Sequence, residues 1–525
     1  MRVLVVTGRL AEKSVRRHTS EARQYVNVTV LPVSVAAFIT PKFAADALNV
    51  PGIKDYDLIL LPGAVQGDVS HVELETGVPT FKGPLHAADL PLVLELLGEV
   101  ELSKTIPASD LIRERLRRRA MAEVEEAEKD WREVMKIHGG LVIGGEGYEV
   151  PVGRAFPMRV IAEIVNAPTL ETDAIRKRAR YYEAEGADII DIGMLAGRPT
   201  PEKIEGIVET VRGSVNRPIS IDTLEPSEIE AGVDAGVDLV LSIDSGNMHE
   251  VAHLLADVPT VVLPSNMSEG FLPKMAEERV AALRDNIVKA RALGLNRVVA
   301  DAVLEPSIQP GLLESLKTYQ LFRQMDEETP MLFGSGNVTE LIDADSPGVN
   351  GLLTALANEV GADLLFIPEF SPKTRGSVRE TAMASKMMFL ARRRETVPKD
   401  LGIDLLILKE KRWVEEPYDK GVEDVVEFVE AEGDDEFNGD RAGWFKIEIE
   451  RERGLIVAIH FPFDERKPDL AIRGKDARKV YQTIIRMGLV SKLDHAAYLG
   501  KELEKAELAI NLGRSYVQDV GLFAN

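Results

Sequence analysis

The chain is 525 residues long, contains no cysteine and carries a formal net charge of −23, with 45% hydrophobic and 28% charged residues. That length predicts two to four globular domains; the acidic balance disfavours sequence-independent binding to DNA or RNA, which needs clustered Lys and Arg, and the lack of cysteine excludes disulfides, thiolate zinc sites, cysteine nucleophiles and cysteine-held iron–sulfur clusters. No apolar run approaches a membrane span and "MRVLVVTGRL" is too quickly polar for a signal peptide, so a cytoplasmic protein with a small-molecule ligand is expected, any metal being held by Asp, Glu, Asn or His.

Up to about residue 107, strand-like runs ("RVLVVTG", "VNVTVLPVS", "YDLILLPG") alternate with helix-like stretches, the pattern of a doubly wound α/β domain. "LLPGAVQGD" after the third run is either a strand-to-helix turn or a backbone anion nest, and the routine use of Gly at such turns favours the turn. Residues 108–137 are highly charged, yet Ile112, Leu116, Ala120, Ala127, Trp131 and Met135 share one helical stripe, which predicts a long amphipathic connector helix. "HGGLVIGGEGYEVPVG" lacks the G-x-G-x-x-G and Walker spacings and reads as a loop or hairpin that closes the connector region at about residue 153.

Residues 154–396 are more regular. Eight strand-like runs follow one another: "RVIAEIV", "DIIDIG", "PISIDT", "LVLSID", "PTVVLP", "RVVADAVL", "PMLFGSG" and "LLFIPEF". Helical stretches separate them, notably 171–185, 201–212, 275–293 and 376–394. That number, order and spacing predict a (β/α)8 TIM barrel, with an open doubly wound sheet as the alternative. Residues 400–525 change character again: "WFKIEIERERGLIVAIHF" reads as two strands around a charged turn at Gly454, and "DARKVYQTIIRMGLV" and "DHAAYLGKELEKAELAINLG" read as helices. A C-terminal α+β domain is expected there.

In such barrels the active site is built at the C-terminal ends of the strands. Strand one ends at Asn166, strand two carries Asp191 and then Arg198, and strand three ends at Asp222. Strand four brings Ser242, Asp244 and Asn247, strand six Asp301 and Glu305, strand seven Asn337, and strand eight Glu369, Lys373 and Arg375. Asp222, in "RPISIDTLEP", is either the cap of the next helix or the floor of a binding site. Recurrence of carboxylates and amides at equivalent strand ends favours a site for a planar heterocycle with several N–H donors, each needing an acceptor once desolvated. "SPKTRGS" places two cations and a small-residue turn at the head of the helix after strand eight, where barrels often bind phosphate; the alternative is solvated surface charge.

"AEIVNAPTLETD", "EGADIIDIGMLAGRP", "PISIDT" and "RVVADAVLEP" resemble segments of dihydropteroate synthase and of the wider pterin-binding barrel family, which includes folate-type methyltransferases. The resemblance covers residues 159 to about 395. The chain as a whole resembles the archaeal dihydropteroate synthase-like proteins, in which an N-terminal α/β domain and a C-terminal domain flank the barrel. It implies that Asp222 and Asp301 hold the aminopyrimidine edge of a pterin with Ser242 beside them, and that Asp191 lies in the same site. It further implies Asn166 near a pyrophosphate and its Mg2+, and Arg198, Lys373 and Arg375 facing anions or the arylamine.

The sequence departs from the synthase pattern at identifiable positions. "APTLE" replaces "TPDSF", "GMLAGRP" replaces "GGESTRP", Ser242 stands for an asparagine, and the strand-seven lysine is missing. "GSGNVTEL" brings Asn337 instead, as in the methyltransferase branch, where such an asparagine hydrogen-bonds the pterin near N5. Three functions follow from the resemblance. The first is a synthase condensing a 6-hydroxymethyl-dihydropterin pyrophosphate with an arylamine, in the biosynthesis of a methanopterin- or folate-type cofactor. The second is a methyltransferase using a methyl-tetrahydropterin, with any corrinoid supplied by a partner protein; His495 is a conceivable ligand, though a lone helix histidine is more often structural. The third is a non-catalytic pterin-binding protein. The partners expected are pterin and arylamine, without nucleic acid or membrane, and a homodimer is the candidate assembly.

Overall fold

Short Val-, Ile- and Leu-rich runs buried on both faces mark parallel strands, and the first such run, β1 (Arg2–Thr7), is buried from Val3 onward. The computed structural model of the chain describes residues 1–20, 22, 24–409, 411, 426–432 and 439–523. β1 pairs in parallel with β2 (Tyr25–Val30) and β3 (Leu58–Leu61), and β3 pairs with β4 (Thr80–Lys82), so the sheet order is β2-β1-β3-β4. After β3 the loop donors are spent on the protein itself. Gly63 N donates to Pro84 O at 3.0 Å, Val65 N to Pro62 O at 3.0 Å, and Ser70 N to Asp68 Oδ1 at 2.7 Å. "LLPGAVQGD" is thus a strand-to-helix turn, and these N–H groups are not available to an anion.

The expected single connector helix is broken into helices Ala108–Leu111, Arg113–Lys129 and Trp131–His138. The breaks fall at Ile112 (φ −115°, ψ 17°) and Asp130 (φ −108°, ψ 39°), outside the helical range. Its stripe is divided between two cores: Ile112 and Leu116 pack with the first sheet, Ala120 and Val124 with the barrel. Trp131 and Met135, predicted on the same stripe, are only half-buried, because the chain turns away before them. Glu123 fixes the middle segment against the last barrel helix, accepting from Arg394 Nη2 at 2.9 Å.

"HGGLVIGGEGYEVPVG" forms an antiparallel hairpin, β5 (Leu141–Ile143) with β6 (Val150–Val152). Gly144 turns it at φ 97°, where a Cβ would also lie 2.6 Å from Tyr148 O. Then come β7 (Arg159–Ile164), β8 (Ile189–Gly193), β9 (Ile219–Asp222), β10 (Leu239–Ile243), β11 (Thr260–Val262), β12 (Val298–Asp301), β13 (Met331–Phe333) and β14 (Leu364–Pro368). All pair in parallel with their sequence neighbours, and β14 returns to β7, so the ring is closed: a (β/α)8 TIM barrel, not an open sheet. Helices Thr172–Ala184, Ile204–Arg212, Ala276–Ala292 and Ser377–Arg393 lie within a few residues of the predicted stretches. Inside the ring, Ile161, Ile189, Leu239, Leu241, Val261, Val299, Leu332 and Leu364 form one cluster with Leu141, Ile143, Val150 and Val152 of the hairpin. The hairpin therefore packs on the inward apolar residues and forms part of the barrel core.

Two compact units make up the chain, Met1–Lys409 and Glu410–Asn525. Much of the stretch 410–438 of the predicted C-terminal domain lies outside the described residues. The second unit holds an antiparallel sheet of β15 (Trp444–Glu450), β16 (Leu455–Phe461) and β17 (Leu470–Gly474), the last not anticipated from the sequence. Phe445, Ile447, Ile456 and Ala458 alternate onto the face packed by helices Ala477–Arg486 and Leu493–Asn511. His495 is fixed there: its Nδ1 lies 2.9 Å from Asp440 Oδ2, and Asp440 also accepts from Ser491 N and Ala442 N. That pairing supports a structural histidine.

Ile143 is fully buried, so Ile143→Ala should lower stability by about 2–5 kcal/mol in urea denaturation, the usual cost of truncating a core aliphatic. A loss below about 0.5 kcal/mol, typical of surface positions, would remove the hairpin from the barrel core.

Candidate functional site

Side chains along a barrel strand alternate between ring interior and helix layer. One inward step beyond the apolar cluster, the residue type changes: Ile161 is followed by Glu163, Ile189 by Asp191 and Val299 by Asp301. Asp222 stands in register with Gly193 at the end of β9. The carboxylates thus line the C-terminal mouth. Among the candidates read from the sequence, Asp191 and Asp222 come together, joined by Glu163, which sequence reasoning missed. One carboxylate oxygen from each of the three lies within 4.8 Å of the others. The signal was present in "RVIAEIV", where a lone glutamate sits at an inward position of an otherwise apolar strand.

Gly193 makes this arrangement possible, since a Cβ there would come within 2.1 Å of Glu163 Oε1. The Glu163 carboxyl makes no hydrogen bond among the described residues. Burial, with the charges of Asp222 and Glu340, pushes it up to about 8, so it keeps its proton at neutral pH. Asp191 is fully buried; Oδ1 accepts from Ser220 Oγ at 2.6 Å while Oδ2 has no partner. Burial, reinforced by Asp222 and Glu163, raises it well above the usual carboxylate range. Asp222 is raised by burial and partly offset by the hydrogen bond from Ser242 Oγ to its Oδ1, 2.5 Å long.

Asp222 does not cap the following helix. Thr223 Oγ1 accepts from Glu225 N at 3.1 Å, and Thr223 in turn donates to Glu228 Oε2 at 2.5 Å. Across the mouth, Asp301 Oδ1 accepts from Tyr319 OH at 2.7 Å and from Val303 N at 2.8 Å. Burial raises Asp301 to about 6 despite these donors. Glu305, expected beside it, turns away into an ion pair with the fully buried Arg279, 2.5 Å from Nη2. Arg279 also donates to Pro273 O and to Val303 O, so this pair shapes the loop after β12 rather than the mouth.

Three non-glycine residues at these strand ends have left-handed backbones: Asn166 (φ 53°), Ser242 (φ 70°) and Val303 (φ 61°). Such conformations are costly, most of all for a β-branched residue, and persist only where the surroundings enforce them. At Ser242 the cause is visible. Val240 and Ile243 both pack in the outer core, so two residues bulge between them, and the register with β11 slips at the same place. The bulge turns the Ser242 hydroxyl onto Asp222. Asn247 Nδ2 clamps it by donating to Ser242 O at 3.2 Å and to Leu224 O at 3.0 Å. Asp244 organises the adjoining loop, accepting from Gly246 N, Ser265 Oγ and Met267 N.

The remaining candidates are placed differently. Asn337 Nδ2 donates to Leu304 O at 2.8 Å. Asn166 follows β7 half-buried; its carbonyl accepts from Thr169, and its amide makes no hydrogen bond among the described residues. Arg198 is exposed in the loop after β8. Lys373 Nζ reaches outward to Ile342 O at 2.5 Å and Asp343 Oδ1 at 3.1 Å. Arg375 is exposed, and its guanidinium makes no hydrogen bond among the described residues. Glu369 accepts from Val378 N at 3.0 Å, at the head of the last barrel helix, and from Tyr181 OH at 3.1 Å. Of the two cations in the loop that sequence reasoning marked for phosphate, Lys373 is therefore tied to the protein's own groups and Arg375 is not.

Residues 165–360 match the family described as pterin binding enzyme, residues 439–519 one described as PterinBD-DUF4346, and residues 1–85 a family of unknown function, DUF6513. Among solved structures, dihydropteroate synthase from Xanthomonas albilineans with 4-aminobenzoic acid is 19% identical over 47% of this chain and 96% of its own, with a TM-score of 0.38. The Thermus thermophilus synthase in complex with 6HMPPP is 22% identical over 47% of this chain and 97% of its own, with a TM-score of 0.35. Among sequences, the uncharacterized protein MJ0107 of Methanocaldococcus jannaschii is 40% identical over 100% of this chain and 99% of its own length. That end-to-end match makes the chain a member of the family of this archaeal protein, with a central barrel of the pterin-binding enzyme type.

Proposed function

We propose that the barrel mouth binds a reduced pterin by its aminopyrimidine edge and transfers a group that the pterin carries. The observation that carries this reading is the pair Asp222 and Asp301. Each has Oδ1 held by internal donors, leaving Oδ2 for a ligand N–H in a desolvated site. A one-carbon donor of the methyl-tetrahydropterin kind is favoured over the synthase condensation. Pyrophosphate departure needs cations near the leaving group; Asn337 stands where the synthase pattern has lysine, and Lys373 is engaged by Ile342 and Asp343. The synthase reading, with an arylamine as acceptor, keeps support in the exposed guanidinium groups of Arg198 and Arg375. A corrinoid acceptor, under the favoured reading, would belong to a partner protein.

For Mg2+, the oxygen-only triad of Glu163, Asp191 and Asp222, with its unpartnered Asp191 Oδ2, is a better fit than Asn166. Mg2+ bound there would offset the mutual repulsion of the carboxylates and offer positive charge to a ligand oxygen.

Calorimetry with a reduced pterin should show affinity reduced about tenfold or more in Asp222→Asn, since a charge-assisted hydrogen-bond pair is worth about 1.5–3 kcal/mol; unchanged affinity would sink the pterin reading at this position. Asp301 must be ionised to accept best, and burial holds it near 6. Affinity should therefore rise with pH through that value, being about tenfold weaker at pH 5 than on the plateau above pH 7. Asp301→Asn should flatten the profile, and a variant retaining the full slope would assign it to another group. Mg2+ should raise the Tm of the native chain but not of Glu163→Gln; equal shifts in both would dismiss the triad as its site.

A further inference from the structure

The turn after β14 is built as an anion cradle, and a side chain of the protein already lies in it. Glu340, directly after the short helix Gly336–Thr339, extends its carboxylate to this turn. Phe370 N donates to Oε1 at 2.8 Å, and Ser371 N is shared between Oε1 at 3.3 Å and Oε2 at 3.2 Å. Thr374 Oγ1 donates to Oε1 at 2.6 Å. Two successive backbone N–H groups and a hydroxyl converging on one pair of oxygens are what a terminal phosphate would receive. Burial would raise the Glu340 carboxyl, but the donors of Ser371, Thr374 and Phe370 outweigh it and hold the group ionised.

Nearby carboxylates act in the same direction. The charge of Glu340 is felt at Glu163 inside the mouth. Beyond the turn, Glu369 holds Val378 N at the head of the last helix. Of the two cations beside Thr374, Lys373 is spent on Ile342 O and Asp343, while Arg375 is exposed and its guanidinium makes no hydrogen bond among the described residues.

We propose that Glu340 is a specificity-determining residue that fills the phosphate position of the barrel mouth and selects pterins that carry no pyrophosphate. This rests on the pterin-binding reading. A pyrophosphate entering the turn must either displace an ionised carboxylate from its donors or sit beside it as a like charge. Both oppose binding, and neither affects a pterin without phosphate. The reduced pterin itself is left to Asp222 and Asp301, which Glu340 does not touch.

The test is calorimetry on the native chain, Glu340→Gln and Glu340→Ala with 6-hydroxymethyl-dihydropterin, its pyrophosphate ester and inorganic pyrophosphate, thermal melting confirming that each variant is folded. The native chain should bind the ester no more tightly than the parent alcohol and should not bind inorganic pyrophosphate. Both variants should gain about tenfold or more for the ester, equivalent to about 1.4 kcal/mol, with affinity for the alcohol changed less than about threefold. A native chain that prefers the ester about tenfold overturns the proposal, whatever the variants do. So do folded variants that show no gain for either phosphate ligand. If no protein binds the alcohol, the pterin reading fails; the role of Glu340 is then decided by inorganic pyrophosphate, a gain in the variants supporting it and none overturning it.

Discussion

Closing eight parallel strands into a ring forces every inward side chain into one shared, poorly hydrated volume, and the rest of this structure follows from how that volume is filled. The lower inward positions are apolar and share a core with the hairpin of β5 and β6. One step higher they become acidic. Burying carboxylates is expensive unless they are paired or protonated. Here Glu163 and Asp191 are pushed toward their neutral forms, and hydroxyls of Ser220, Ser242 and Tyr319 steady Asp191, Asp222 and Asp301. A carboxylate cluster held this way is poised for an occupant that brings its own positive charge or its own N–H donors.

Support for the mouth comes from residues that never face it. The left-handed backbones of Ser242 and Val303 would relax if free, and each is restrained from behind, Ser242 by Asn247 and Val303 by Arg279. Arg279 is itself a fully buried cation matched to Glu305. Breaking such a pair costs far more than the pair contributes to stability, because one charge is left stranded in the core. The network thus acts as a rigid mount for the β12 loop, and its worth lies in geometry more than in net stabilisation.

Charge at the rim follows a similar logic on the outside of the mouth. Phosphate sites in barrels arise because loop N–H groups at a helix start lack partners. In this chain those N–H groups are supplied with carboxylates by Glu340 and Glu369. Cations in the same segment do not by themselves make an anion site; what matters is whether the donors around them are still unclaimed. Two loops distant in sequence meet to settle that here.

Much of the architecture was legible in the amino-acid sequence, because it depends on local periodicity. Eight apolar runs spaced by amphipathic helices leave a closed parallel barrel as the natural arrangement, and residues at strand ends such as Asp191, Asp222, Ser242 and Asp301 can be located from pattern and resemblance alone. Features depending on where the chain goes next were not. A continuous stripe predicted one connector helix, yet two cores compete for its faces and the helix breaks at Ile112 and Asp130. Glu305 and Asp301 look alike in "ADAVLEP", but only the fold brings Arg279 to one and Tyr319 to the other. Glu163 gains its meaning from the missing Cβ of Gly193 on the neighbouring strand. The sequence determined which residues stand at the ends of the strands; tertiary structure decided which of their charges remain available, because an ion's partners are set by neighbours in space and not by neighbours along the chain.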